Sequence, residues 1–302
     1  MTPVIQVKHL TRHFGEIRAV DDLSFTVPAG QVYGFLGQNG AGKSTTIRML
    51  LTLIQPGSGS IELFGMDLQR HRREILRQTG AIIERPDLYK YLTARENLRI
   101  FALISGVRAT EKKLMDQLAM VGLADRAHSK VKTFSQGMKQ RLGIAVALVH
   151  DPQLIVLDEP TNGLDPQGIA DIRHLILHLS NDLGKTVLVS SHLLHEIELI
   201  AGSMLIIDKG KKVAEGTKEA LLNPVKTQVE LITGNDAAAL ALLRETTWKP
   251  FILDAPAGSI LLEIEKHQVP ALNRTLVEKG IDVMSLRPKH SLEDFFLSLT
   301  RR

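Results

Sequence analysis

The chain has 302 residues, 44% of them hydrophobic, which is long enough for one large domain plus a small one and too apolar for wholesale disorder. Its 37 Lys and Arg against 33 Asp and Glu leave a formal charge of +4, a mild bias that suits an anionic nucleotide or a membrane surface and is too weak to argue for nucleic acid. The absence of cysteine excludes disulfides and thiolate metal sites.

The N-terminal residues Met1-Thr2-Pro3-Val4-Ile5 carry no charged leader and no apolar core, so no signal peptide is expected. No uncharged apolar run reaches the ~18 residues needed to span a bilayer, so none is expected to cross one. Short apolar runs at 5–10 and 23–27 read as antiparallel strands, with turn chemistry at Pro28-Ala29-Gly30. The run Gln31-Val32-Tyr33-Gly34-Phe35-Leu36 reads as a buried strand, and 45–53 has helical apolar spacing. Further strands are expected at 60–64, 80–83, 154–157, 186–189 and 204–207. The stretch 93–149 reads as almost wholly helical, with apolar spacing over 96–104, 113–121 and 138–149. This alternation predicts an α/β domain over 1–222 with a largely parallel sheet, an antiparallel β subdomain and a helical insertion at about 84–149. Asn223-Pro224 signals a boundary. Beyond it the order is strand 228–232, helix 237–244, strands 250–253 and 259–264, helix 271–277, strand 281–286 and helix 292–299. That is the β-α-β-β-α-β order of a small ferredoxin-like α+β domain, 223–302.

Between the strand ending at Leu36 and the next helix lies Gly37-Gln38-Asn39-Gly40-Ala41-Gly42-Lys43-Ser44-Thr45, which fits the P-loop pattern G-x-x-x-x-G-K-S/T. Glycines let such a loop bend its N–H groups inward toward a polyphosphate, and the helix that follows aims its positive dipole end at the same anion. Lys43 can reach terminal phosphates and the Ser44 hydroxyl can ligate Mg²⁺. A dinucleotide-type G-x-G-x-x-G reading fails because Thr45 stands where a third glycine or alanine is needed. The apolar run Leu154-Ile155-Val156-Leu157 ends in Asp158-Glu159-Pro160. A buried strand ending in acids delivers them to the edge of the sheet, where ligands bind in open α/β folds. Asp158 is the expected Mg²⁺ carboxylate and Glu159 the expected proton acceptor for an attacking water.

With these motifs in place the chain resembles the nucleotide-binding subunit of ATP-binding cassette (ABC) transporters, over nearly all of 4–222. Phe134-Ser135-Gln136-Gly137-Met138 resembles the family signature LSGGQ, with Ser135 and Gly137 at matching positions and Phe134, Gln136 and Met138 departing from it. The resemblance implies that Ser135, Gly137 and Met138 press on the γ-phosphate of ATP held by another subunit. Gly163-Leu164-Asp165-Pro166 is similar to the D-loop, which places Asp165 against the opposite subunit, and His192 matches the switch histidine. His195 reads instead as part of an amphipathic helix face, because no third ligand completes a metal site with His192. Phe14 matches the aromatic that stacks on adenine, and on spacing alone it reads equally as a core phenylalanine. Glu84 stands where the family carries the Q-loop glutamine, and as an oxygen ligand it remains competent for Mg²⁺.

The run from Glu84 through Pro86 and Tyr91 to Arg95-Glu96-Asn97-Leu98, and the tail Ser291-Leu292-Glu293-Asp294-Phe295-Phe296-Leu297, are similar to a subgroup of drug and antibiotic-peptide exporters. The resemblance implies ATP and Mg²⁺ as cofactors, a homodimer, an integral membrane permease as partner and a peripheral location on the cytoplasmic face of the membrane. The substrate is not written in the chain. Two other readings are weighed against this one. A soluble cassette acting on ribosomes or nucleic acid generally has two cassettes or a long coiled-coil insertion, and a nucleotide kinase has no use for Ser135–Met138 or His192.

Overall fold

The computed structural model, which describes residues 3–222, 226–256 and 258–289, shows the expected alternation of short strands and helices, with glycine-marked turns also joining strand to strand. The chain divides into two units, Met1–Thr217 and Lys218–Arg302. Asn223-Pro224, the helix expected at 292–299 and the tail motif 291–297 lie outside the described residues.

The first unit opens with β1 (Ile5–Phe14) and β2 (Ile17–Val27), which pair antiparallel, and with β3 (Val32–Leu36), which leads into α1 (Lys43–Leu50). Next come β4 (Ser58–Leu63), β5 (Met66–Asp67), α2 (Arg72–Arg77) and β6 (Thr79–Ile82). The helical insertion contributes α3 (Ala94–Ile104), α4 (Glu111–Met120) and α5 (Gln136–Leu148). The unit closes with β7 (Leu154–Asp158), α6 (Pro166–Asn181), β8 (Thr186–Ser191), α7 (Leu194–Ile200), β9 (Ser203–Asp208) and β10 (Lys211–Thr217).

Two sheets form. One runs β2-β1-β4-β5, and the other runs β10-β9-β3-β8-β7-β6. The second is parallel apart from β10. Ile47, Met49 and Leu50 of α1 pack in one buried cluster with Leu10 and Leu23 of the first sheet and Val156 and Leu188 of the second. The P-loop helix is therefore clamped in a core built from both sheets. β5 and β10 are not anticipated from the sequence: β5 is two residues long, and β10 is a half-exposed edge without an apolar run. β10 is nonetheless tied to β3 through Tyr33, whose hydroxyl donates to Glu215 Oε1 at 2.9 Å. Burial, then the Glu215 carboxylate, push the Tyr33 phenol far above its usual range, so it stays a neutral donor.

The insertion is a three-helix packet with Leu98, Ala102, Leu114, Leu118, Leu142 and Ala145 buried. Its helices start at capping residues that the sequence supplies: Thr93 for α3, Thr110 for α4 and Ser135 for α5. At α3 the Thr93 backbone N–H and hydroxyl both donate to Glu96, which holds that carboxyl below the ordinary range.

The second unit contains α8 (Lys218–Leu222), β11 (Lys226–Thr233), α9 (Asp236–Glu245), β12 (Ile252–Asp254), β13 (Ile260–Glu265), α10 (Val269–Glu278) and β14 (Val283–Lys289). Its antiparallel sheet runs β12-β13-β11-β14, the ferredoxin-like order. Val229, Leu231, Ile260 and Leu262 pack under Leu243, Trp248, Leu272 and Leu276. The strand expected at 250–253 begins later, because Lys249–Phe251 form a 3-10 turn in which Pro250 has no N–H to give to a ladder. The division between units falls before α8, so that short helix goes with the C-terminal unit.

One close approach fixes how the insertion meets the parallel sheet. A Cβ on Gly80 of β6 would stand 2.2 Å from the carbonyl oxygen of Ala147 in α5. Gly80→Ala is expected to force α5 away from β6 and to destabilise the chain by about 1–3 kcal/mol. Chemical denaturation followed by far-UV circular dichroism checks this.

Candidate functional site

β3, β7 and β8 lie side by side, and their C-terminal ends open onto the same sheet edge. β3 feeds the loop Gly37–Gly42, in which Gly37, Ala41 and Gly42 are buried while Gln38, Asn39 and Gly40 face solvent. Gly42 caps α1 at φ 105°, and a Cβ there would lie 2.5 Å from the Ala19 carbonyl oxygen. Only glycine meets both demands. Lys43 and Ser44 then occupy the first turn of α1, where helix N–H groups have no partner within the helix. A cleft of about 170 Å³ results, lined by Ala19, Gln38, Asn39, Gly40, Gly42, Lys43, Ser44, Thr45 and Glu159.

Lys43 is 5% exposed. Its ammonium donates to the Gly37 carbonyl at 2.7 Å and the Gln38 carbonyl at 3.3 Å, and lies 3.2 Å from Glu159 Oε1. That last contact is an ion pair without hydrogen-bond alignment, since Glu159 Oε1 is buried and accepts no bond. Glu159 follows β7 at φ 49°, a left-handed backbone that a non-glycine residue adopts at a cost. This turn is held by two bonds from its N–H, to Ser190 Oγ at 2.9 Å and to the Ser190 carbonyl at 3.2 Å. The other carboxylate oxygen, Oε2, lies 2.7 Å from His192 Nδ1. With Glu159 ionised and accepting, Nδ1 carries the proton.

Asp158 is fully buried. Its Oδ1 accepts from Ser190 Oγ, and its Oδ2 has no partner. Two adjacent acids therefore each keep one carboxylate oxygen without a hydrogen bond, and Glu159 lines the P-loop cleft. Ser190 makes this arrangement and was not singled out from the sequence. It pairs with Asp158 across β7 and β8, a register that only the sheet reveals.

The remaining expected residues fall elsewhere. Phe14 ends β1 at 45% exposure with the Arg12 guanidinium 4.9 Å from its ring centroid, so it is not a core phenylalanine. Glu84, at φ 58° and largely exposed, accepts from Arg48 of α1 at 2.5 Å and does not line the cleft. Ser135 is exposed at the start of α5, where its hydroxyl accepts from Met138 N–H at 3.2 Å. Gly137 and Met138 are half-buried. Asp165 caps α6 by accepting from Gly168 N–H at 2.9 Å, and the side chain of Gln136 donates to the Asn162 carbonyl at 3.2 Å. Ser135, Gly137, Met138 and Asp165 thus form a second surface that contributes nothing to the P-loop cleft of the same chain.

The family model for ABC transporters matches residues 20–162. The bacitracin transport ATP-binding protein BcrA of Bacillus licheniformis is 43% identical over 301 residues, 99% of this chain and 98% of its own length. The lantibiotic transport ATP-binding protein SrtF of Streptococcus pyogenes is 40% identical over 212 residues, 70% of this chain and 90% of its own. Among solved structures, an ATP-binding cassette captured as a dimer in a post-hydrolysis state with ADP and Pi superposes with a TM-score of 0.63 at 25% identity, covering 71% of this chain and 98% of that one.

Removing the buried ammonium leaves the cleft without its cation and Glu159 without its counter-charge. Lys43→Ala is expected to weaken ATP binding by roughly ten- to a hundredfold, the range for losing charge-assisted hydrogen bonds. A nucleotide titration measures it.

Proposed function

Because this chain belongs to the ABC transporter family and is an ATPase, we propose that it is the ATP-hydrolysing subunit of a membrane exporter and works as a head-to-tail homodimer. The observation that carries this reading is the separation of two surfaces on one chain. The P-loop cleft lies on one, Ser135 caps a helix on the other with Gly137 in that helix's first turn, and the second does not line the first. A triphosphate held by Lys43, Ser44 and the loop N–H groups of one copy is completed by Ser135 and Gly137 of the other. Two-fold symmetry then makes two such sites. Phe14, half-exposed at the end of β1, is assigned to the adenine ring, and Asp165 to the contact between copies.

The donor set fits Mg²⁺. The unbonded, buried Asp158 Oδ2 and the Ser44 hydroxyl are hard oxygen donors, whereas Glu84 is held by Arg48 away from the cleft lining. Bound there with the triphosphate, the ion neutralises phosphate charge. The chain's own residues supply the rest. Glu159 Oε1 takes a proton from water as the water oxygen bonds to the γ-phosphorus, and the bond from that phosphorus to the bridging oxygen breaks to release ADP and phosphate. His192 holds the Glu159 carboxylate in place through Oε2. Loss of the γ-phosphate removes the anion that joins the two surfaces, and the dimer opens, a switch of the order–release type.

Among the described residues no helix is long and apolar enough to cross a membrane. The proposal therefore assigns the transport path to a separate integral membrane permease, which holds the dimer at the cytoplasmic face and receives its motion through the insertion at 84–149. Relatives named for bacitracin and lantibiotic transport support an amphipathic drug or antibiotic peptide as cargo.

Glu159→Gln keeps the size of the side chain and removes its basicity. The variant is expected to bind ATP at close to wild-type affinity, to lose at least about a hundredfold in turnover, and to run as a dimer with ATP in size-exclusion chromatography. A variant that hydrolyses normally and stays monomeric with ATP removes Glu159 from its role.

A further inference from the structure

α6 and α7 leave the two loops that flank Glu159. α6 starts at Asp165, in the loop assigned to the second copy, and α7 starts just after His192. An ion pair joins these helices. Arg173 Nη2 of α6 donates to Glu196 Oε2 of α7 at 3.0 Å, with the side chains only 28% and 19% exposed. Arg173 lies about two turns into α6 and Glu196 in the first turn of α7. Arg173 Nε is buried and makes no hydrogen bond of its own, while the side chain as a whole stays 28% exposed. The pair lines the same small cavity as Pro160, Thr161 and Ser191, the residues that follow Glu159 and precede His192. The other side of His192 is fixed locally, because Leu193 N–H donates to Ser191 Oγ at 2.9 Å. His192 therefore sits within a short self-bonded turn that leads into a helix whose first turn is anchored by Arg173.

We propose that Arg173 and Glu196 are positioning residues for ATP hydrolysis: their ion pair holds α7 on α6 and so keeps His192 Nδ1 on the Glu159 carboxylate. The inference rests on the roles given above to Glu159 and His192. It adds a path by which a displacement of the loop Gly163–Pro166 by a second copy reaches the proton-accepting carboxylate. The path runs along α6, across the ion pair, and back through α7 to His192. A mere staple between helices would affect stability alone. A positioning pair affects turnover through His192, and that difference is measurable.

The test uses the full chain with ATP and Mg²⁺, comparing wild type, Arg173→Lys, Glu196→Gln, the exchange Arg173→Glu with Glu196→Arg, and each in a His192→Ala background. Glu196→Gln, which breaks the ion pair, is expected to lower kcat by about ten- to a hundredfold, as for misplacement of a catalytic group, and Arg173→Lys, which keeps the charge, to lower it less, both with the KM for ATP within about twofold. The charge exchange recovers part of the loss. Under single-turnover conditions with radiolabelled ATP, Glu196→Gln adds nothing once His192 is alanine. Arg173→Lys keeps the charge and guards against a folding defect, which thermal melting reports directly. Wild-type kcat in the single variants, or a loss that multiplies in the His192→Ala background, overturns the proposal. An unimpaired His192→Ala variant overturns the role of His192 itself and so separates that failure from this one.

Discussion

A buried ammonium governs this site. Lys43 is almost without solvent, and a charge in that position needs compensation from the chain. The compensation comes from the carbonyl oxygens at the end of β3 and from the carboxylate that follows β7. The carboxylate is in turn held by the imidazole that follows β8. Three strands from distant parts of the sequence are joined by one chain of charge. In the function proposed above, an entering phosphate takes the place of Glu159 on Lys43 and leaves the carboxylate to accept a proton.

That charge chain depends on backbone geometry that other elements enforce. The left-handed turn at Glu159 is pinned by Ser190, which also bonds Asp158. On the opposite side, Gly210 N–H donates to the Ala41 carbonyl at 3.0 Å, and Asp21 N–H donates to the Gly210 carbonyl at 2.9 Å. The β9–β10 turn and the start of β2 therefore buttress the P-loop from below, while Ala19 blocks every residue but glycine at position 42. The buried end of the loop, Ala41 and Gly42, is thereby held in place while Gln38, Asn39 and Gly40 face solvent, an arrangement that suits preorganised anion binding.

The second surface is organised by the same economy of caps. Ser135 and Asp165 each start a helix by accepting a backbone N–H, and the side chain of Gln136 bonds the segment just before Asp165. The departure of this chain from a glycine at position 136 thus has a structural consequence, a direct link between the signature loop and the loop that leads into α6. Helix capping satisfies these residues within one chain and still leaves Ser135 exposed.

The P-loop, the apolar strand that ends in two acids, and the period of the insertion helices are local features, legible because each depends on residues adjacent in sequence. The order of the C-terminal elements is of the same kind, since four strands and two helices in that sequence have few ways to bury their apolar faces. The sequence does not reveal β5 and β10, which lack an apolar run. It also leaves open the placement of Phe14, because a lone aromatic at a strand end reads the same whether it is buried or exposed. Ser190, the Arg48 contact to Glu84 and the Arg173–Glu196 pair are equally silent, because each joins residues far apart along the chain. The local motifs, with the family resemblance they carry, determined by themselves which chemistry to expect of the chain. Only the folded sheet, by setting β3, β8 and β7 side by side in register, decided that Lys43, Glu159 and His192 act on one another.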